Sequence, residues 1–210
     1  MPNYEYVTKK EYMPVKKELI HLINLVQDEI RCYFTFRYDF IGSSSRNMIT
    51  RAIDSNIGYD FDVNLQVNDE NEDYSPQKIK DILKKGFDKY NHLFSYDYCE
   101  DSTRVITIKF KDIKNSKILH SCDFAIIYNC ATGAQQYIYY NKLTQTYSWE
   151  YQSQQFYQLH KKIDLIKQYK LWQDVRILYL HKKCTNTNPN NKSRSIFAQT
   201  INEIYDKNFQ

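Results

Sequence analysis

The stretch Tyr59–Val67 constrains the fold more than any other part of the chain. Asp60, Asp62, Asn64 and Gln66 alternate without interruption with Phe61, Val63, Leu65 and Val67. Successive side chains of a strand point to opposite faces, so this segment has one apolar face and one polar face. It is a strand whose apolar face lies on a core. Its polar face either lines a cleft or belongs to an amphipathic edge strand in water. Asp60 and Asp62 fall together on that polar face, where two carboxylates can share a divalent cation.

The remaining periodicities surround this strand with a mixture of elements. Leu19, Ile23, Val26 and Ile30 recur at helical spacing after Pro14, a residue suited to a first turn, and predict a helix beginning there. Phe34, Phe36, Tyr38 and Phe40 alternate with polar residues as a strand that runs into Gly42-Ser43-Ser44-Ser45-Arg46. The segment Ser44 to Ile53 can start a helix. Ser75-Pro76 is an N-cap followed by proline at the first helical position, and Ile79, Ile82, Leu83, Phe87 and Tyr90 face inward behind it. Arg104 to Phe110 is a further strand, and Ser116 to Tyr128 holds one or two more. From about Tyr147 the spacing turns helical. Phe156, Leu159, Ile163 and Ile166 fit one helix; Leu171, Val175, Leu178 and Lys182 fit a second; Ile196, Thr200, Ile201 and Ile204 fit a third. This order predicts an α+β fold with a mixed sheet and flanking helices. The expected division is a strand-rich core over residues 1–146 and a helical segment over 147–210 that closes a cleft.

Composition removes several classes. With 210 residues, 42% hydrophobic and 16% aromatic, and only 4 Gly and 4 Pro, the chain is neither disordered nor collagen-like. No apolar run approaches the ~20 residues of a membrane span, and the N-terminus lacks the apolar stretch of a signal peptide. A soluble, cytoplasmic protein without a membrane partner is expected. The 29 Lys and Arg against 25 Asp and Glu give +4, too mild a balance to mark a nucleic-acid binder. The five cysteines are scattered with no C-x-x-C pair, which fits reduced thiols rather than a zinc site or a disulfide framework.

Two more features complete a pattern. Gly42-Ser43 closes a strand; it is either an ordinary turn and cap or a turn whose free N–H groups accept a phosphate. Asp123 opens the apolar run Phe124-Ala125-Ile126-Ile127, either as a strand-end cap or as a third carboxylate beside the first two. Gly42-Ser43, Asp60-Phe61-Asp62 and Asp123 together resemble the DNA polymerase β-like nucleotidyltransferase superfamily. With the strand Arg104–Asp112 ahead of Ser121-Cys122-Asp123-Phe124, the sequence is most similar to the branch of oligoadenylate synthetases and bacterial cyclic-oligonucleotide synthases. Sixteen residues lie between Ser43 and Asp60, which calls for an extra turn around Ile53 to Tyr59.

The resemblance implies a magnesium-dependent enzyme that moves a nucleoside monophosphate from an NTP, ATP among them, to a hydroxyl acceptor and releases pyrophosphate. It implies that Asp60, Asp62 and Asp123 hold two Mg2+ ions, with Mn2+ as a substitute, and that Asp123 is the general base. Gly42 and Ser43 would bind the nucleotide's phosphates, and Lys182 would reach the triphosphate from a helix. The acceptor is left open between a nucleotide, an oligonucleotide and an RNA end. Modification of a small molecule or a protein side chain is a second reading, and a non-catalytic nucleotide- or RNA-binding module a third.

Overall fold

The computed structural model describes residues 3–69, 71–130, 132–152 and 157–209. In chain order its elements are β1 (Tyr4–Tyr6), α1 (Lys9–Ile30), β2 (Thr35–Ile41), the single turn α2 (Gly42–Ser45), β3 (Thr50–Ala52), β4 (Ile57–Asn68), α3 (Pro76–Tyr90), β5 (Glu100–Asp101), β6 (Val105–Asp112), β7 (Lys117–Asn129), β8 (Gln135–Asn141), β9 (Thr146–Tyr151), α4 (Tyr157–Gln168), α5 (Trp172–Thr185) and α6 (Ser193–Phe209). The chain divides into two compact units. The larger is Val7–Ile49 with Asn56–Gln152, and the smaller is Met1–Tyr6 with Thr50–Ser55 and Ser153–Gln210.

The larger unit is built on a mixed sheet in the order β2-β4-β7-β6-β5, with the β8–β9 hairpin added at the far end of β7. Only β4 and β7 run parallel; the other pairs are antiparallel. The alternation of β4 is obeyed in full. Phe61, Val63 and Leu65 are completely buried, and their β7 neighbours Cys122, Phe124 and Ile126 are buried on the same face. α1 and α3 cover that face. Leu19, Leu22, Ile23 and Val26 from α1 and Ile79, Leu83 and Phe87 from α3 enter one continuous core. Phe87 stacks on Phe124 with ring centroids 4.2 Å apart. Burying such a side chain contributes roughly 1.5–3 kcal/mol, so this face holds the sheet and helices together.

Several boundaries differ from the expectation, each for a physical reason. α1 begins at Lys9 rather than Pro14, because Thr8 and Glu11 form a reciprocal capping box: Glu11 N donates to Thr8 Oγ1, and Thr8 N donates to Glu11 Oε2. Pro14 sits one turn inside the helix. Ser44 to Ile53 does not continue as a helix. α2 ends at Ser45, and Thr50–Ala52 instead forms β3, paired antiparallel with β1. Those residues account for the long interval between Ser43 and Asp60. Ser116 to Tyr128 yields one long strand, β7. The β8–β9 hairpin has no counterpart in the sequence reading, and residues from Tyr147 to Tyr151 are strand rather than the start of the helical part. Phe156 lies outside the described residues.

In the smaller unit, α5 packs on β1. The Arg176 guanidinium lies 4.1 Å from the Tyr6 ring centroid, and Tyr6 Oη donates to the Arg176 carbonyl at 2.7 Å. Lys183 lies 4.1 Å from the Tyr4 ring centroid and donates to Thr50 Oγ1 at 2.7 Å. Its stem is buried along α5 with Val175 and Tyr179. All five cysteines are free thiols. Among the described residues, no helix is long and apolar enough to cross a membrane.

One buried charge ties α3 to the far edge of the sheet. The Lys80 side chain is 1% exposed; its ammonium pairs with Asp101 at 2.6 Å, and Asp101 itself is 29% exposed. Nζ also donates to the Ser102 carbonyl at 2.6 Å. Losing the anion strands a buried ammonium, whereas losing the cation leaves a carboxylate that water can reach. Asp101→Asn should therefore cost about 3 kcal/mol in urea unfolding. Lys80→Met, which keeps the apolar stem, should cost clearly less. The reverse order of midpoints would contradict this account of the pair.

Candidate active site

The register between β4 and β7 places the acids. Asp62 is the direct partner of Asp123, and Asp60 the partner of Ser121. Partnered residues of adjoining parallel strands share a face and stand about 4.8 Å apart. On the same row, β2 contributes Ile41 beside Asp62, and β6 contributes Thr107 beside Asp123. The row below carries Asp60, Ser121 and Lys109. The three carboxylates that the sequence pattern singles out therefore stand on one face of the sheet, opposite the helices. Among the described residues, no three His, Cys, Asp or Glu side chains already converge as a metal cage. The register brings the acids to one face of the sheet.

Gly42 and Ser43 lie at the end of β2, beside the Ile41–Asp62 pair. Gly42 has φ +64, and a β-carbon there would run into the Asp62 carboxyl group. Glycine is needed twice over at this point, for the left-handed backbone and for the close approach of an acid. The rest of the turn is stitched to its own backbone. Ser44 Oγ donates to the Ile41 carbonyl and Ser45 Oγ to the Gly42 carbonyl, each at 3.0 Å. The Ser43 carbonyl accepts from Met48 N at 2.9 Å. Tyr12 Oη donates to Asn47 Oδ1 at 2.6 Å, anchoring the turn to α1. Ser43 Oγ makes no hydrogen bond within the described residues.

The electrostatics record the crowding. Asp62 is pushed up to about 6, first by burial and then by the charges of Asp123 and Asp60, with the Arg46 guanidinium pulling the other way. Asp123 is also raised, chiefly by burial, against the lowering effect of its hydrogen bond from Thr107. Thr107 Oγ1 donates to Asp123 Oδ1 at 2.6 Å, and Ser121 Oγ donates to Asp60 Oδ1. Lys109 stands beside Ser121 and pairs with Glu100 on β5. The sequence reading includes Thr107, Ser121 and Lys109 in its strands but gives none of them a place in the site. Period two would have found them, because Ser121 is two residues from Asp123, and Thr107 and Lys109 share one face of their strand.

Lys182 lies in the smaller unit, partly buried and paired with Glu203 at 2.6 Å. The buried stripe of α5 passes one residue away, through Val175, Tyr179 and Lys183. His120, three residues before Asp123, belongs to the opposite face. It stacks on Phe110 with centroids 5.0 Å apart and shares a 3.0 Å hydrogen bond with Tyr96 Oη. Burial pushes it down to about 4, so it is a neutral core residue.

The larger unit is a mixed sheet with two helices on one face and a Gly-Ser turn and three strand-borne acids on the other. The chain's fold is similar to those of solved bacterial proteins, among them the CD-NTase CdnG and the di-nucleotide cyclase DncV. DncV of Vibrio cholerae in its GTP-bound form has a TM-score of 0.61 at 15% identity, covering 98% of this chain and 54% of that one. DncV cyclic AMP-GMP synthase in complex with a linear pppA(3',5')pG intermediate has a TM-score of 0.59 at 15% identity, with the same coverage of 98% and 54%. CdnG of Bradyrhizobium diazoefficiens in complex with GTP has a TM-score of 0.53 at 12% identity, covering 74% and 42%. This chain thus spans about half the length of the solved structures it matches. No protein-family model matches the sequence, and neither does any curated protein.

The raised Asp62 makes a prediction for the metal-free protein. Its unfolded-state pKa is near 3.8 and its folded value about 6. Stability is therefore lost as pH rises between those values, and the full penalty stands above 6. Asp62→Asn removes the penalty. In EDTA the variant should melt several degrees above wild type at pH 7.5, and the gap should close by pH 4. Groups that do not interact with Asp62, His120 included, are common to both proteins and drop out of the difference, while Asp60 and Asp123 lose a neighbouring charge at high pH and widen the gap in the same direction. An equal gap at both pH values would count against carboxylate crowding.

Proposed function

We propose that this chain is a metal-dependent nucleotidyltransferase that transfers a nucleoside monophosphate from an NTP to a hydroxyl. The observation that carries the reading is the side-by-side register of Asp62 and Asp123, with Asp60 on the same face and the Gly42-Ser43 turn beside it. The folds that resemble it belong to proteins solved with GTP and with a linear dinucleotide intermediate. A binding module gains nothing from three crowded carboxylates beside phosphates, which favours catalysis over the non-catalytic reading.

The donor set fits a hard divalent cation. Mg2+ takes carboxylate oxygens and is commonly held by one or two carboxylates together with water and substrate phosphates, not by an all-protein cage. Asp60 and Asp62 would hold the ions, and Asp123 would complete the set. Bound there, Mg2+ or Mn2+ neutralises charge on the reacting phosphate and acidifies the attacking hydroxyl. Asp123 keeps Oδ1 on the Thr107 hydroxyl and presents Oδ2 to the acceptor, where it takes the hydroxyl proton. The acceptor oxygen then bonds the α-phosphorus as the bond to the β-phosphate's bridging oxygen breaks, and pyrophosphate leaves. Ser43 Oγ and the N–H groups of the turn receive the β- and γ-phosphates. The acceptor we favour is a nucleotide hydroxyl, with an oligonucleotide or RNA end as the next alternative. Lys182 stays a candidate for the triphosphate.

Incubation with each labelled NTP and Mg2+, followed by product mass, tests the reading. Wild type should release pyrophosphate and give a product heavier by one nucleoside monophosphate. Asp60→Asn combined with Asp62→Asn should lose this activity while keeping its circular dichroism. Wild-type turnover by the double variant would end the metal reading. Asp123→Asn should spare NTP affinity and slow the single-turnover step by about 10²–10⁴-fold, as for a missing general base.

Ser43→Ala offers a separate check. It should raise KM for the NTP more than it lowers kcat, because the triphosphate is held alike in ground and transition states. Unchanged NTP affinity by calorimetry would remove Ser43 from the site.

A further inference from the structure

We infer that Ser121 and Thr107 are positioning residues that orient Asp60 and Asp123 for a divalent cation, an inference that rests on the metal-dependent reading above. Both hydroxyls act across the sheet in the same direction. Thr107 on β6 donates to its register partner Asp123 on β7, and Ser121 on β7 donates to its register partner Asp60 on β4. Each strand's hydroxyl holds the acid of the next strand over.

The arrangement distinguishes the three acids. Asp60 and Asp123 each have Oδ1 committed to a hydroxyl, which orients the carboxylate and leaves Oδ2 uncommitted, with lone pairs for the cation and, at Asp123, for the acceptor proton as well. A hydrogen bond to a carboxylate is charge-assisted, and so holds its geometry more firmly than a neutral one. The register partners of Asp62 are Ile41 and Asp123, neither of which carries a donor hydroxyl. Asp62 is instead set by its approach to Gly42. The two hydroxyls thus fix the outer acids in orientation, while the central one is set by the turn.

A ligand's outer partner commonly affects metal affinity 10–100-fold without touching the metal. Both hydroxyls can be removed with little change of shape. Thr107→Val is close to isosteric and Ser121→Ala deletes one atom, while Thr107→Ser and Ser121→Thr keep the hydroxyl. The experiment is Mn2+ binding to the nucleotide-free protein, read from the electron paramagnetic resonance of the free ion, with melting curves in EDTA alongside.

Wild type should bind Mn2+, and the Asp60→Asn/Asp62→Asn double variant should not. Thr107→Val and Ser121→Ala should each bind about 10–100-fold more weakly. Thr107→Ser and Ser121→Thr should stay within a few-fold of wild type. A purely structural role would shift the melting temperature and leave Mn2+ affinity unchanged among the molecules that remain folded. The inference is overturned if Thr107→Val and Ser121→Ala bind Mn2+ like wild type, or if the hydroxyl-retaining variants are as weak as the others. Because the two hydroxyls sit on different strands, a variant that fails to fold at one position leaves the other to decide. Absence of Mn2+ binding by wild type would overturn the inference, and the pyrophosphate-release assay with and without Mg2+ decides the metal reading separately.

Discussion

The parallel pairing of β4 with β7 is the constraint on which the rest depends. It aligns two apolar rows, Phe61-Val63-Leu65 and Cys122-Phe124-Ile126, into a single surface that α1 and α3 cover. By the same register it aligns Asp62 with Asp123 on the other surface. A slip of one residue would exchange the faces, placing carboxylates under the helices and phenylalanine beside the Gly-Ser turn. Hydrophobic burial therefore fixes the spacing of the acids, although no acid takes part in the core. The antiparallel pairing of β2 with β4 extends this logic, because it ends β2 at Ile41 next to Asp62 and starts the turn at that level.

The site that results is electrostatically unfavourable by itself. Three carboxylates on one face repel, and burial adds to the cost of keeping them charged. The protein offsets this locally, with hydroxyls on Asp60 and Asp123 and the Arg46 guanidinium acting on Asp62. The contrast with Lys80 is instructive. There a buried charge meets its counter-ion within the protein, and the result is a fixed tie between α3 and the sheet edge. In the acid cluster Arg46 and Lys109 offset the charge only in part, and the raised Asp62 and Asp123 are perturbed groups of the kind that concentrates at functional sites.

Much of this was legible in the sequence where the signal was local. The alternation from Asp60 to Val67 assigned both faces of β4 correctly, and Ser75-Pro76 located the start of α3. Asp60 and Asp62 were legible because they lie on a strict two-residue period and Gly42-Ser43 because it closes a strand, whereas Asp123 stands mid-strand in β7 rather than at a strand end and was singled out through the family resemblance. What escaped was non-local or weakly patterned. β1 and β3 are three residues each, too short for any periodicity, and they exist because they pair with one another. The β8–β9 hairpin is rich in tyrosine on both faces, so its alternation of burial is faint. The capping box at Thr8 and Glu11 has a sequence signature that the reading from Pro14 does not use, and the helix accommodates Pro14 inside it. The hydroxyls of Ser121 and Thr107 gain meaning only once the register between strands is known.

The distance along the chain between the acids has a consequence for how the protein is made. Asp60 and Ser121 are 61 residues apart in sequence, and α3, β5 and β6 all lie between them. A parallel pair cannot close through a tight turn. β4 must wait until this whole interval has emerged from the ribosome and folded back. Until then Asp60 and Asp62 are two neighbouring carboxylates in water, with neither Asp123 nor a hydroxyl from β7 to meet. Chain entropy thus defers the close meeting of like charges to a late event in folding, when the buried rows of β4 and β7 are already available to hold them together. A nascent fragment that stops short of β7 would carry Asp60-Phe61-Asp62 without Asp123 or Ser121 beside it.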